Sequence, residues 1–237
     1  MESDRRAKHR VWVVLAAIVL GWAAASYLAA PTIWKFIYRL RRMVQSGPRT
    51  TQTKDGHPGD PVNIALQGTE EEVVRAMTAA GWHPADPITF ATSVRIVVDS
   101  VVRKPDDQAP VSSLYLFGRR EDLAFELPVG NSPRQRHHVR FWKWNRLYEG
   151  REAWLGSASF DQRVGLSHTT GEVTHHILPE VDAERDLIMK GIAAAGWAGR
   201  KYFIDGFHQE LEGRNGGGDM WWTDGRLGVV DLTPPGR

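Results

Sequence analysis

The longest apolar run of the chain lies close to its N-terminus. Residues 11–34 carry no charged side chain, and as a helix they would measure about 35 Å, longer than the roughly 30 Å hydrocarbon core of a bilayer. A basic head, residues 1–10, precedes the run, and a segment rich in aromatic and basic residues, residues 35–44, follows it. Aromatic rings beside Lys and Arg are typical of a membrane interface. The pattern predicts a single transmembrane helix with a basic juxtamembrane segment that contacts membrane lipid.

A cleavable signal peptide is the alternative interpretation, because Ala23 and Ala25 fit a small-residue cleavage rule. The apolar run continues past that point, which favours an anchor. The ten residues before the span and the ten residues after it each contain four Lys or Arg side chains. Because the two counts are equal, they do not set the orientation. A short basic head usually stays in the cytoplasm. We therefore expect a single-pass membrane protein with a cytoplasmic N-terminus and a domain that faces outward.

Polar residues with several Gly and Pro follow at residues 45–60 and predict a flexible linker. A globular domain is then expected over residues 61–237. It opens with a strand at 62–66 and a T-x-x-E capping box, Thr69 to Glu72, that starts a helix. This helix and a second one from Asp182 both end in the letters AAGW. The recurrence indicates either a duplicated unit or a shared way of packing a helix end.

The remaining pattern combines one more helix with several strands. Valines at helical spacing between residues 94 and 102 predict a helix. Strands are predicted at 113–118, 122–127, around 137–138 and at 153–160, and a closing meander at 201–211, 219–223 and 226–232. The sequence therefore predicts an α/β (α+β) fold with a mixed, largely antiparallel sheet and about three helices on one face, preceded by the transmembrane helix.

Composition narrows the range of partners. The 237 residues leave room for one sizeable core. The net charge is only +2 and neither a basic arm nor a zinc knuckle occurs, so we expect no nucleic-acid partner. The chain has no cysteine, which rules out disulfides, thiolate metal sites and a cysteine nucleophile.

Five of the nine histidines lie between residues 137 and 176. A strand is predicted to end at His168 and another to begin at Val173, joined by a glycine-containing turn. A two- or four-residue loop would place His168 opposite Val173 and on the same face as His175, whereas a three-residue loop would place it on the other face. In the first case the two imidazoles could converge on one ligand.

Such a cluster has the chemistry of a metal site. Imidazole binds zinc and other transition metals, and catalytic zinc uses three protein ligands with an open position for water. The expected ligands are His168 and His175 with either His137 or His138, supported by Asp161 or Asp182. With His176 included, the candidate ligands of a divalent metal such as zinc are His137, His138, His168, His175 and His176. The catalytic candidates are His168, His175 and Asp161.

Two other interpretations use the same segment. No H-E-x-x-H pair is present, and a sheet in which one histidine of each pair is hydrogen-bonded and the other solvated explains the pattern equally. Alternatively, Arg134, Arg136 and Arg140 with His138 or His176 could bind a phosphate or carboxylate group. A simpler explanation is that these arginines are solvated side chains on the surface of a basic strand.

Other candidates are weaker. Ser167 is next to a histidine but lacks a G-x-S-x-G elbow, and residues 216–218 lack the lysine of a phosphate-binding loop and predict a hairpin tip. Most tryptophans are expected to pack in the sheet or core. Trp221 and Trp222 must point to opposite sides of their strand, and an exposed subset could form a protein-binding surface.

Three segments carry a resemblance to a known family. They read SSLYLFGRREDLAFELPVG, SPRQRHHVRFW and VGLSHTTGEVTHHILPEVDAERD. The run from residue 59 to about 198, roughly three fifths of the chain, resembles the LssY C-terminal domain family. The resemblance implies an envelope setting, because the family is named for a component associated with bacterial type I secretion and is often joined to DedA-like or lipid-phosphatase-like membrane domains. Neither companion pattern occurs here. The resemblance therefore implies a location, the bacterial inner membrane, and not a phosphatase activity.

Two function hypotheses follow. The first is an accessory or binding module of the bacterial envelope whose partner is an envelope or secretion-system protein. The alternative is a metal-dependent hydrolase that acts on a phosphorylated or lipid-linked substrate. Dispersed histidines beside an exposed aromatic surface would favour the module, whereas converged histidines with supporting carboxylates would favour the enzyme.

Overall fold

The computed structural model describes residues 2–30, 49–85, 113–130, 135–148, 150–166 and 173–236. The chain divides into two compact units, Met1–Gly47 and Pro48–Arg237. In the first unit, helix α1 (Glu2–Ala24) continues into a π-helical turn, Ala25–Ala29.

Helix α1 and its π-helical turn contain a stretch, Trp12–Ala29, that is long and apolar enough to cross a membrane. None of this stretch is buried within the protein. Its length and composition fit either a membrane anchor or a signal sequence. The predicted apolar helix is thus confirmed over these residues, whereas residues 31–34 of the expected span and the juxtamembrane segment 35–44 lie outside the described residues.

The described part of the second unit contains two helices and fourteen strands. The helices are α2 (Glu70–Ala79) and α3 (Asp182–Ala194). The strands are β1 (Thr50–Gln52), β2 (Pro58–Pro61), β3 (Ile64–Gln67), β4 (His83–Pro84), β5 (Tyr115–Leu116), β6 (Arg119–Arg120), β7 (Leu123–Pro128), β8 (Arg136–Tyr148), β9 (Arg151–Leu166), β10 (Val173–Ile177), β11 (Ala198–Ile204), β12 (Glu212–Arg214), β13 (Met220–Trp222) and β14 (Leu227–Leu232).

A large mixed sheet forms the centre of this unit. Its strand order is β11-β14-β3-β9-β8-β7-β4, and β10 pairs with the far end of β9. Only the β14–β3 pair is parallel among these described strands. The predicted fold class, a mixed and largely antiparallel sheet with helices, is confirmed.

Both helices pack on one face of the sheet. Alternate side chains of a strand point to opposite faces, and Val139, Phe141, Trp154 and Ala158 point toward the helices. They form one core with apolar residues of α2 and α3. The predicted third helix at 94–102 lies outside the described residues.

Smaller sheets contact the opposite face. Strands β2-β1-β5-β6 form a four-stranded sheet, and β12 and β13 form a hairpin. The hydroxyl of Ser157 on β9 donates to the Pro61 carbonyl at 2.9 Å, and the indole of Trp142 on β8 donates to the Arg119 carbonyl at 3.2 Å. Polar side chains of the large sheet are therefore enclosed between two layers of strands.

The two AAGW sequences end their helices in the same way. Gly81 and Gly196 have positive φ angles of 89° and 77°, which glycine adopts without a steric penalty. After each glycine, the amide of Trp82 or Trp197 donates to a carbonyl five residues earlier at 3.0 Å, and both indoles are buried. This is the Schellman motif. The recurrence is thus explained by a shared helix ending.

The structure differs from the sequence prediction in four details. Within the predicted linker 45–60, residues 49–60 belong to the domain, because β1 and β2 lie there. Between the predicted strands 113–118 and 122–127, the chain turns at Phe117–Gly118, inside the first of them, and both of these residues have positive φ. The closing meander is interrupted, since β14 pairs with β11 rather than β13. Finally, Val173 pairs with Leu166 rather than with His168, which itself lies outside the described residues.

Candidate functional site

Strand register gathers the polar side chains of the enclosed face. On β8, Arg136 and His138 occupy alternate positions and point to the same side. On β9, Asp161 lies opposite Arg136 and Ser159 lies opposite His138. On β7, Glu126 lies opposite His138 from the other side. Because directly paired residues share a face of a sheet, these five side chains form one cluster.

Arg136 lies at the centre of the cluster and is the residue at which solvent reaches it. Its Nε donates to Asp161 at 3.3 Å and its Nη1 donates to Glu126 at 3.1 Å. Its Nη2 lies 3.4 Å from Nε2 of His175. Since a guanidinium group only donates hydrogen bonds, Nε2 of His175 must accept, which requires a neutral imidazole. The Arg136 side chain is 18% exposed, so the cluster meets solvent at this residue.

Behind Arg136, a chain of polar contacts extends inward. Nδ1 of His138 lies 3.1 Å from Asp161, and Nε2 of His138 lies 2.9 Å from the Ser159 hydroxyl. That hydroxyl lies 3.2 Å from Asp60. When Ser159 donates its one hydrogen to Asp60, its hydroxyl oxygen accepts from Nε2 of His138. All four residues are buried.

The order serine, histidine and aspartate is that of the catalytic triad of serine hydrolases. Ser159 is fully buried, and Asp60 occupies the position beside its hydroxyl. A substrate carbonyl has no access to Ser159 in this arrangement. We therefore interpret the chain of contacts as a structural link between the large and small sheets.

The pKa values of Asp161 and His175 are both lowered, for different reasons. Burial alone would raise the pKa of Asp161, but the neighbouring His138 and Arg140 outweigh it and hold that pKa well below its ordinary value. Burial lowers the pKa of His175, and Arg136, His138 and Arg140 lower it further against the opposing effect of Asp161. A neutral His175 agrees with its role as an acceptor from Arg136.

The other predicted histidines lie elsewhere. His137 points to the helix face, where its Nδ1 lies 2.7 Å from Glu184 and its ring lies 4.8 Å from the ring of Phe160. His176 is buried, and its Nδ1 lies 2.7 Å from Asp219. Asp182 instead accepts hydrogen bonds from Arg185 and Thr223.

The predicted metal ligands are therefore divided between three places. Within the part of the chain that the structure describes, no three His, Asp or Glu side chains are arranged to hold a metal ion. His168 lies outside the described residues, so a site that includes it stays a prediction. The same applies to Arg134 in the predicted anion site.

Part of the predicted anion-binding set lies together, and anion binding stays a prediction. Arg136, His138 and Arg140 share the enclosed face, and Arg140 is buried. His176 is held by Asp219 instead. Glu126 and Asp60 were not predicted, and their carboxylates compete with any anion in this cluster. Nothing local in the sequence marks them, since they reach the cluster through β7 and β2.

A second surface lies on the β12–β13 hairpin. Residues 179–181 pair with β13, where the Trp222 amide donates to the Pro179 carbonyl at 2.8 Å. The inner side of this small three-stranded sheet is a buried apolar cluster of Ile177, Val181 and Trp221. Its outer side, which we call the outer hairpin face, consists of exposed residues: Leu178, Glu180, Glu212, Arg214, Met220 and Trp222.

Tryptophan exposure fits the prediction made for these residues. Trp142, Trp144 and Trp154 are buried in the sheet. Trp221 is buried and Trp222 is 48% exposed, so the two do point to opposite sides. Trp222 is the most exposed aromatic side chain in the described part of the domain.

Comparison with known proteins gives the chain a family. The profile described as "LssY C-terminus" matches residues 41–227. The chain belongs to the LssY C-terminal family. No curated protein and no solved structure matches it. The LssY C-terminal profile covers β1 and β2 as well as the three segments that carried the resemblance, which agrees with the inclusion of residues 49–60 in the domain.

Proposed function

We propose that this protein is a membrane-anchored accessory or binding module of the bacterial envelope, whose LssY C-terminal domain docks a partner protein on the outer hairpin face. The observation that carries the proposal is the exposed Trp222 on an ordered sheet. The histidines do not favour the rival class, a metal-dependent hydrolase, because His137 and His176 bind separate carboxylates away from His138 and His175.

The outer hairpin face has the properties of a protein-binding surface. Tryptophan and methionine are enriched at interfaces, and tryptophan is among the residues that contribute most to binding. Trp222, Met220 and Leu178 are 48%, 39% and 38% exposed. The backbone of Trp222 is paired on both sides and that of Met220 on one, the Leu178 amide donates to the Phe160 carbonyl, and an apolar cluster lies behind them. A partner would therefore bind a preformed surface and lose little conformational entropy.

Site-specific photo-crosslinking tests the docking surface in intact cells. With a photoreactive phenylalanine analogue at Met220, we expect one discrete cross-linked product in membranes. An analogue at Leu147, a 60% exposed residue of the β8–β9 hairpin, is the matched control and should give no such product. Adding Trp222→Ala to the Met220 variant should remove it. Equal products from both positions, or a product insensitive to Trp222→Ala, would contradict the proposal.

The proposed location is the inner membrane, with the N-terminus in the cytoplasm and the domain outside. A chain without cysteine allows a clean topology measurement with single cysteines. A membrane-impermeant maleimide should label Asp55→Cys, at an exposed domain position, in spheroplasts, and should label Ser3→Cys only after lysis. The reverse pattern would invert the orientation. Release of the domain as a soluble, shortened protein would identify the apolar helix as a signal sequence.

A further inference from the structure

We infer that the outer hairpin face recognises an arginine side chain of its partner, which stacks on the Trp222 indole between the carboxylates of Glu180 and Glu212. This inference rests on the proposed docking function and specifies the chemistry of the partner.

Strand pairing places the three residues in one row. Glu212 lies directly opposite Trp222 in the antiparallel β12–β13 pair. Glu180 lies opposite Trp222 on its other side, in a parallel bridge. Directly paired residues point to the same face with Cβ atoms about 5 Å apart. The indole is therefore flanked by one carboxylate on each side.

Neither carboxylate is neutralised within the described part of the protein. No described residue forms an ion pair with Glu180 or Glu212. The cation on the same face is Arg214, whose Nη1 donates to the Gly218 carbonyl at 2.8 Å and is thereby held toward its own loop. The row therefore presents two carboxylates that have no ion-pair partner among the described residues, one on each side of an aromatic ring.

The protein stacks cations on its other aromatic rings. Arg185 and Arg226 lie 4.8 and 4.3 Å from the ring centre of Phe203, and Arg200 lies 5.0 Å from that of Tyr202. Trp222 has no such contact with any described residue, although the tryptophan ring attracts cations most strongly. Its open indole face is available to a cation from outside.

The chemistry of the row favours arginine over other cations. A guanidinium group is planar, stacks on an aromatic ring and donates hydrogen bonds in its own plane, so one group can reach carboxylates on both sides. A quaternary ammonium group has no hydrogen to donate to Glu180 or Glu212. Leu178 and Met220 offer apolar contact for the aliphatic stem of the arginine. Anionic lipid is disfavoured by the two glutamates.

A peptide titration on the full chain in detergent micelles tests the inference. The probe is a synthetic peptide of alternating leucine and arginine, and its control has citrulline, the neutral isostere, in place of each arginine. Binding is followed by NMR through the indole N–H signal of Trp222, which is assigned by its loss in Trp222→Phe. We expect the arginine peptide to shift this signal and the citrulline peptide to bind at least about tenfold more weakly.

Matched variants test whether Glu180 and Glu212 supply the charges that bind the arginine peptide. Glu180→Gln combined with Glu212→Gln should weaken binding of the arginine peptide about tenfold, as measured by calorimetry. Asp55→Asn combined with Asp205→Asn removes the same number of exposed charges elsewhere and should change binding less than twofold. Trp222→Ala should weaken binding by about fivefold or more. All of these side chains are exposed, so the variants should fold.

The possible failures separate the inference from the proposed function. Equal binding of both peptides would overturn arginine recognition while leaving apolar docking intact. Binding to phosphatidylcholine vesicles but to neither peptide would assign the surface to lipid and overturn both proposals. If neither peptide binds and the Met220 cross-link persists, the partner is a protein of different chemistry and the inference alone is wrong.

Discussion

Replacing Arg185 by methionine is expected to lower the free energy of unfolding by about 3–5 kcal/mol. The Arg185 side chain is fully buried. Its guanidinium group donates to Asp182 at 3.1 Å and to both oxygens of Asp224 at 2.9 and 3.1 Å. Among the described residues, methionine would fill much of the same volume but leave Asp182 without a cation and Asp224 with Arg226 as its one remaining ion-pair partner. The loss then arises from unpaired charge rather than from a cavity.

Urea unfolding of the full chain in detergent micelles, followed by tryptophan fluorescence, measures this loss. Arg200→Met is the matched control, because Arg200 is 52% exposed and pairs with Asp231 at 2.7 Å. An exposed ion pair contributes at most about 1 kcal/mol. If Arg185→Met costs no more than Arg200→Met, the buried network does not stabilise the junction between α3 and the β13–β14 turn.

Local sequence signals were sufficient to predict the start of α2 and the ends of α2 and α3. The capping box of α2 is present as predicted, with the Glu72 amide donating to Thr69 Oγ1 at 3.2 Å and the Thr69 amide donating to Glu72 at 2.8 Å. The glycine endings of α2 and α3 were likewise readable, because each motif depends on residues within one turn of the helix end. Such features need no knowledge of the tertiary structure.

The linker prediction differs from the structure because glycine and proline occur both in flexible linkers and in packed edge strands. Pro58 and Gly59 suggested flexibility, yet both lie in β2, at the edge of the small sheet. Proline is tolerated at an edge strand, where its missing N–H breaks no ladder. A Cβ atom on Gly59 would lie 2.4 Å from Oγ1 of Thr51. Glycine is therefore required there by close packing, and composition alone could not distinguish this from a tether.

The candidate site shows the same division between local and long-range information. Alternation along a strand is enough to separate His137 from His138 and His175 from His176, since each pair points to two different environments. Their partners could not be predicted in this way. Glu126 and Asp60 reach the cluster through strand order and register, which are set by packing among segments far apart in the chain.

Replacing Asp161 by asparagine is expected to cost about 3–5 kcal/mol near neutral pH and to flatten the dependence of stability on acid. Asp161 is buried and contacts both Arg136 and His138. Because its pKa is lower in the folded than in the unfolded chain, the unfolded chain binds a proton first as the pH falls. Its contribution is thus complete above about pH 4, the ordinary pKa of aspartate, and is lost progressively below it.

Urea unfolding at several pH values between 5 and 3 measures the effect, in the range where an ordinary aspartate takes up its proton. The difference between the wild type and Asp161→Asn should shrink by up to about 1.4 kcal/mol per pH unit below pH 4. Ser157→Ala removes a buried hydrogen bond to Pro61 from the same face without removing a charge. It should cost about 1 kcal/mol at every pH. A constant difference for Asp161→Asn as well would mean that packing, rather than the carboxylate charge, holds Arg136 and His138 in place.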